Sequence, residues 1–271
     1  MTYITKPMLA TGYSEGKAKF PCLAQRKFDG CRAICLIGKD DEVHLLSRGG
    51  KELNVPHIKE WAERHRDLLP LDGELYNHDE LTFQQICSAV KCNSPLTEKL
   101  KYVVYDAPIS GYTNGMRQLL LQRSFKDMAP NEPVYLTGSV VVHNESEVQQ
   151  WHDDCVKLGY EGAIIRNMDG KYIEGRSNDL MKLKRFDTDE FEIIDVVEAA
   201  GQDAGTGLFI LRAKDGNRFH ARPTGSKSLR AAYLRDRENL IGKPCTIRHF
   251  GYTDGGVIPR FPVALGIRDY E

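Results

Sequence analysis

No apolar run in the chain approaches the length a helix needs to cross a bilayer. Met1 to Ala10 has no basic start followed by an apolar core, so no secretory leader is expected. The seven cysteines are an odd number and none lies in a Cys-x-x-Cys pair. That pattern argues against a disulfide framework and a structural zinc site, and for a reducing, cytoplasmic setting. Cys31 and Cys35 then read as small core residues. Internal repeats and low-complexity linkers are also missing, which excludes solenoids and long disordered tails. The net charge of −1 gives no sign of a polyanion partner for the chain as a whole.

What is present fits a water-soluble chain with one large or two modest cores: 271 residues, 41% hydrophobic and 28% charged. The charge is unevenly placed. Asp189 to Asp203 holds six acidic residues and no Lys or Arg, whereas Ala204 to Glu271 holds twelve basic residues against six acidic. A basic C-terminal segment is an electrostatic footprint for a polyanion, and equally a means of staying soluble.

Periodicity and turn residues predict strands at Pro21–Ala24, Ala33–Ile37, Val43–Ser47, Leu71–Tyr76, Lys101–Ala107, Val134–His143, Glu161–Arg166 and Leu180–Lys184. Helices are predicted over Val55–Leu69, Glu80–Val90, Asn114–Met128 and Glu145–Lys157, the last capped by Asn144. This order suggests an α+β core with mainly antiparallel sheets. The run Asp187-Thr188-Asp189-Glu190 breaks the pattern, and the domain boundary is placed there, giving domains 1–188 and 189–271. Beyond it, strands at Phe191–Val197, Gly207–Ala213, Arg218–Arg222 and Cys245–Phe250, with a helix over Lys227–Asn239, are compatible with an OB-type β-barrel.

The chain is organised around Gln25-Arg26-Lys27-Phe28-Asp29-Gly30-Cys31-Arg32, a polar cluster between two apolar runs. A hairpin turn with a surface salt bridge would use the same residue types. A reactive lysine in a cleft would use them too, and it would need partners elsewhere. Charged residues do recur inside apolar strands: Arg48, Asp72, Glu74, Glu161, Lys182 and Lys184. Burying unpaired charge is costly, so several such residues together point to a common cleft. Cations there would neutralise phosphates, and carboxylates would hold a hard divalent metal.

In order along the chain stand Lys-x-Asp-Gly-x-Arg, Ser-Arg-x-Gly, Asp-Gly-Glu-Leu, Tyr-Asp, Glu-Gly-x-x-x-Arg and Leu-x-Lys-x-Lys. Together they resemble the covalent nucleotidyltransferases: ATP-dependent DNA ligases, RNA ligases and mRNA capping enzymes. The resemblance implies a nucleotidyltransferase domain followed by a small OB-fold barrel. It implies that Lys27 takes AMP from ATP, with Asp29 beside it in the catalytic set. It gives Arg32 and Arg48 phosphate contacts, and Lys182 and Lys184 the α-phosphate. Glu74 would meet the ribose or a metal, and Glu161 would be a metal-linked carboxylate for Mg²⁺ or Mn²⁺. Tyr105 would stack on adenine, Gln25 would meet its edge, and Arg268 would orient pyrophosphate. The chemistry is coherent with this. A free lysine is neutral in roughly one molecule in a few thousand at pH 7, and nearby cations such as Lys182, Lys184 and Arg32 disfavour the ammonium.

Three features resemble DNA ligases in particular. Glu161-Gly162-Ala163-Ile164-Ile165-Arg166 ends in arginine, where many RNA ligases have lysine. Pro259 to Asp269 is similar to the end of small ATP-dependent DNA ligases, and the C-terminal segment is basic. The chain departs from many relatives in closing Arg268-Asp269-Tyr270-Glu271, without a basic residue after the aspartate. The resemblance therefore implies a compact, cytoplasmic, monomeric ligase of viral, phage or bacterial type, with no membrane association, acting on nicked duplex DNA. With no nicotinamide-recognition domain expected, ATP is the nucleotide. An RNA ligase or capping guanylyltransferase would share the lysine chemistry.

Overall fold

The computed structural model describes residues 6–184, 186–253 and 256–268. Residues 1–5 and 269–271, on which the readings of the leader and of the last motif partly fall, lie outside the described residues. The chain divides into two compact units, Met1–Lys184 and Arg185–Glu271. Among the described residues no helix is long and apolar enough to cross a membrane.

The first unit is built on two five-stranded sheets. One has the order β1 (Met8–Gly12), β10 (Gly175–Lys184), β9 (Gly162–Asn167), β2 (Cys22–Lys27), β8 (Ser139–Val142). The other runs β4 (Val43–Ser47), β3 (Cys31–Ile37), β5 (Leu71–Tyr76), β6 (Lys101–Asp106), β7 (Val134–Leu136). Pairing is mainly antiparallel; β1–β10 and β6–β7 are parallel. β2 and β3 are consecutive in sequence, yet β2 pairs with β8 and β9 whereas β3 pairs with β4 and β5. The Phe28-Asp29-Gly30 link is thus a crossover between sheets, not a hairpin turn. Gly30 is needed there because a Cβ would strike the Leu75 carbonyl and approach Glu74 Cγ at 2.9 Å.

Helices α1 (Pro56–Arg64), α2 (Phe83–Lys91), α3 (Asn114–Ser124) and α4 (Glu145–Lys157) complete the unit. The Thr82–Gln85 capping box starts α2, and Asn144 accepts from the Glu147 amide to start α4. α1 turns Ile58, Trp61 and Ala62 into a core shared with Leu71, Leu75 and Tyr102. α3 is inside out: Arg117 and Gln118 are buried, whereas Met116 and Leu119 are about half exposed, at 51% and 47%. Its inner face serves the polar network described below. All seven cysteines are free thiols.

Several local expectations need correction. Val134–His143, read as one strand, is two strands in different sheets, because the chain crosses at Thr137-Gly138. β1 and the last strand, β15 (Val263–Ile267), were not expected; each is short, and β1 gains its hydrogen bonds from β10, at the far end of the unit. β10 begins at Gly175 instead of Leu180, and α1 ends at Arg64, followed by a separate 3₁₀ turn, Arg66–Leu68.

The second unit is a closed five-stranded barrel, β11 (Asp187–Glu198), β12 (Gly207–Arg212), β13 (Arg218–Pro223), β15, β14 (Pro244–His249), with one helix, α5 (Lys227–Arg235). Strict alternation along β13 puts Phe219 and Ala221 inside and Arg218, His220 and Arg222 outside. Asp187–Glu190 is no break: these residues pair with β14 as the first part of the longest barrel strand. β11 then pairs with β12 across a register shift between Ile193 and Asp195, so one strand serves two neighbours.

Candidate active site

A cavity of about 370 Å³ lies within the first unit. Of the residues expected from the sequence, Gln25, Lys27, Arg32, Arg48, Glu74, Tyr105, Lys182 and Lys184 line it. β2 delivers Gln25 and Lys27 on one face because successive side chains alternate. β10 delivers Lys182 and Lys184 by the same alternation. Gly162 permits the close pass of β9 by β10; its φ is +149° and a Cβ there would strike the Leu183 carbonyl.

Glu161 sits where β9 begins, and its amide donates to the Lys27 carbonyl at 3.0 Å. One carboxylate oxygen pairs with Lys27 Nζ and the other with Lys184 Nζ. Burial alone would raise its pKa, but Lys27 and Lys184 outweigh this and hold it below the usual carboxylate range. Glu74 is the opposite case. Burial pushes it up to about 7, against the pull of Lys27 and Arg32. Burial, with repulsion from Lys184 and Lys27, holds the Lys182 amine below the ordinary lysine value.

Arg32 is not a loose cation. Its Nε donates to Asp72 Oδ1 at 2.9 Å, its Nη2 to Asp72 Oδ2, and its Nη1 to the Met8 carbonyl at 2.6 Å. The Gln25 side chain is 1% exposed and fully engaged. Its Nε2 lies 3.2 Å from the Tyr105 carbonyl, 3.2 Å from Gln118 Oε1 and 2.9 Å from Ser139 Oγ. Its Oε1 accepts from Arg166 Nε at 2.7 Å. The Tyr105 hydroxyl donates to Glu74 Oε2 at 3.4 Å, and burial keeps it a phenol. The guanidinium carbons of Arg32 and Arg166 lie 5.7 and 5.6 Å from its ring centroid.

Three expected residues are not part of the cavity lining: Glu161, which reaches it through Lys27 and Lys184, and Asp29 and Arg268. Asp29 lies on the crossover and does not line the cavity. Arg268 belongs to the barrel, where its Nε donates to Thr246 Oγ1 at 2.8 Å and lies 3.5 Å from Glu190 Oε1.

The sequence reading missed a second layer. Asp106, fully buried, accepts from Arg117 Nε at 2.7 Å and Arg166 Nη1 at 2.6 Å. Burial would raise its pKa, but the two arginines keep it low. Arg166 and Arg176 also line the cavity. Asp72 and Asp106 had a signal, a carboxylate within an apolar strand; that Asp72 would meet Arg32, 40 residues away, and Asp106 would meet Arg166, 60 residues away, had none.

Among the described residues no group of three or more His, Cys, Asp or Glu side chains converges as a metal cage. Glu74 and Glu161, near enough for Glu161 to oppose the ionisation of Glu74, are the carboxylates that could hold a hard cation.

Known proteins resemble this chain along most of its length. The chain is 29% identical over 267 residues to a DNA ligase of African swine fever virus, covering 91% of this chain but 63% of that protein. It thus spans somewhat under two thirds of that relative's length. A solved structure of Lig E DNA ligases superposes with a TM-score of 0.80 at 22% identity, covering 98% of this chain and 100% of that one, and shows the shared fold. The Chlorella virus DNA ligase-adenylate matches with a TM-score of 0.53 at 28% identity, covering 99% of both chains. The family model described as "ATP dependent DNA ligase domain" matches residues 7–184, the unit that carries the cavity. A lysine at the sheet crossover, paired to a carboxylate and flanked by two further lysines, therefore sits in a chain that belongs to the ATP-dependent DNA ligase domain family.

Proposed function

We propose that this chain seals nicks in duplex DNA with ATP, through a lysyl-AMP intermediate on Lys27. The observation that carries the reading is the placement of Lys27 Nζ on Glu161 at the rim of a cavity that also holds Lys182, Lys184 and Glu74. The Lys27 nitrogen attacks the α-phosphorus of ATP, pyrophosphate leaves, and the amine proton passes to solvent. A 5′-phosphate oxygen at the nick then takes AMP from Lys27, and the 3′-hydroxyl displaces AMP to close the strand. Each step needs positioning and charge neutralisation more than covalent help.

In this reading Glu161 orients the Lys27 amine, and its low proton affinity suits it to that task better than to acting as a base. Lys182 and Lys184 receive the α-phosphate, Arg32 and Arg48 contact phosphate, and Tyr105 offers its ring to adenine. Gln25, at the cavity wall, holds the Tyr105 carbonyl and Arg166. Glu74 and Glu161 would hold a divalent cation, which when bound supplies further neutralisation at the phosphates. Asp29 supports the crossover, and Arg268 orients pyrophosphate from the barrel. The domains of the functional enzyme are the nucleotidyltransferase, which ends ahead of β11 at about residue 184, and the OB-fold barrel, which takes the rest of the chain. The protein acts as a monomer in a reducing cytoplasm, where its seven free cysteines remain thiols.

The test is mass spectrometry after incubation with ATP and Mg²⁺. One AMP adduct on Lys27, absent from a folded Lys27→Ala variant and discharged by nicked DNA, is the expected result. A normal adduct yield in Lys27→Ala overturns the assignment. A GTP-only adduct, or equal sealing of nicked RNA, would move the chain to the capping or RNA-ligase alternative.

A further inference from the structure

One buried hydroxyl behind the cavity has no task in the reading above. Tyr172 is 3% exposed, and its ring packs with Met8 and Leu180. Its hydroxyl donates to Asp72 Oδ2 at 2.7 Å. It accepts from the Met8 amide at 3.2 Å and from Arg32 Nη2 at 3.4 Å. A hydroxyl has one proton and two lone pairs, so these partners saturate it.

The same three groups surround the Arg32 guanidinium. Asp72, 0% exposed, takes Nε and Nη2; the Met8 carbonyl takes Nη1; Tyr172 takes the second proton of Nη2. Of the five N–H groups that a guanidinium carries, a single Nη1 proton is then left for a ligand. Strand β1 contributes through its main chain, and its Ala10 carbonyl also accepts from Arg176 Nη1 at 3.4 Å. Two cavity arginines are thus oriented by the backbone of one short strand.

We propose that Tyr172 is a positioning residue for phosphate recognition. It fixes Arg32, together with Asp72 and Met8, so that the one remaining N–H meets a phosphate oxygen in the cavity. This rests on the nucleotidyl-transfer reading. A tyrosine serving only as core filler would tolerate phenylalanine, because the ring contacts with Met8 and Leu180 survive the change. A tyrosine that aims Arg32 would not.

The test is a double-mutant cycle. Single-turnover nick sealing is measured for the wild type, Tyr172→Phe, Arg32→Lys and the double variant. Lysine cannot reproduce the planar fork, so Arg32→Lys removes what Tyr172 acts through. All four proteins are compared below the lowest of their melting midpoints by circular dichroism, so that loss of fold cannot imitate loss of aim. Tyr172→Phe should slow sealing about tenfold, the size expected for one hydrogen bond to a charged group. In the Arg32→Lys background it should add nothing. An unchanged rate in Tyr172→Phe, or losses that multiply in the double variant, overturns the proposal. A wild type that forms no AMP adduct overturns the nucleotidyl-transfer reading itself, a result distinct from a multiplicative cycle in an active enzyme.

Discussion

The two units bury polar side chains in different ways. In the first, Gln25, Asp72, Asp106, Arg117, Gln118 and Arg166 are all buried, and all are hydrogen-bonded into the wall of one cavity. In the barrel the core is Phe191, Ile193, Val196, Phe209, Phe219 and Ile247, and most arginine pairs lie at the surface, as Arg212–Glu192 and Arg222–Asp203 do. A site that must present charge to a ligand needs those charges fixed from behind, since an unpaired buried ion costs several kcal/mol (about 3–5 on removing one partner). The barrel can instead change its surface charges at small cost to its fold.

The sharpest way to break this comparison is a pair of acidic substitutions, one in each unit. Glu161→Ala frees Lys27 and Lys184 from their shared carboxylate and should slow formation of the AMP adduct by on the order of a hundredfold or more. Asp189→Ala removes the acceptor for His249 and for Tyr252 in the barrel. It should lower the melting midpoint while leaving adduct formation near normal. Equal loss of adduct from both would show that the two units do not divide function and stability in this way.

Asp106→Ala strands two buried guanidinium groups, Arg117 and Arg166. We expect a destabilisation of about 3–5 kcal/mol by chemical denaturation. A loss under about 1 kcal/mol would mean that the arginines find other partners or water, as a surface pair would.

Glu74 gives a smaller effect with a defined sign. Its pKa rises from 4.5 to about 7 on folding, so the folded state favours the protonated carboxyl. Its contribution is most favourable below about pH 4.5 and is lost as the pH rises through about 7. Glu74→Gln should remove that limb from the dependence of the melting midpoint on pH, leaving the variant relatively more stable above pH 7. An unchanged pH profile would place the titration elsewhere. The smallest expected effect is in the barrel. Arg218, exposed on the outer face of β13, should on change to alanine weaken nick binding a few-fold and reduce its salt slope by about one. No change in the salt slope would remove this face of the barrel from the DNA contact.

The sequence by itself determined which charged residues gather at the cavity rim. Lys27, Glu74, Lys182 and Lys184 were legible because charge inside an apolar strand must be explained, and because alternation puts residues two apart on one face. It also determined most strands, the start of α4 at Asn144 and the barrel character of the C-terminal unit, since these depend on local periodicity and capping. Only the tertiary structure decided that Phe28-Asp29-Gly30 crosses between sheets, that Val134–His143 splits between them, and that Asp187–Glu190 opens the barrel. Pairing partners of a strand are chosen by segments far along the chain, and no local pattern encodes them. The same holds for the groups that aim the site. Asp72, Tyr172 and Met8 meet around Arg32 although Tyr172 lies 140 residues from it. A hydrogen bond acts over about 3 Å of space and leaves no spacing rule in sequence.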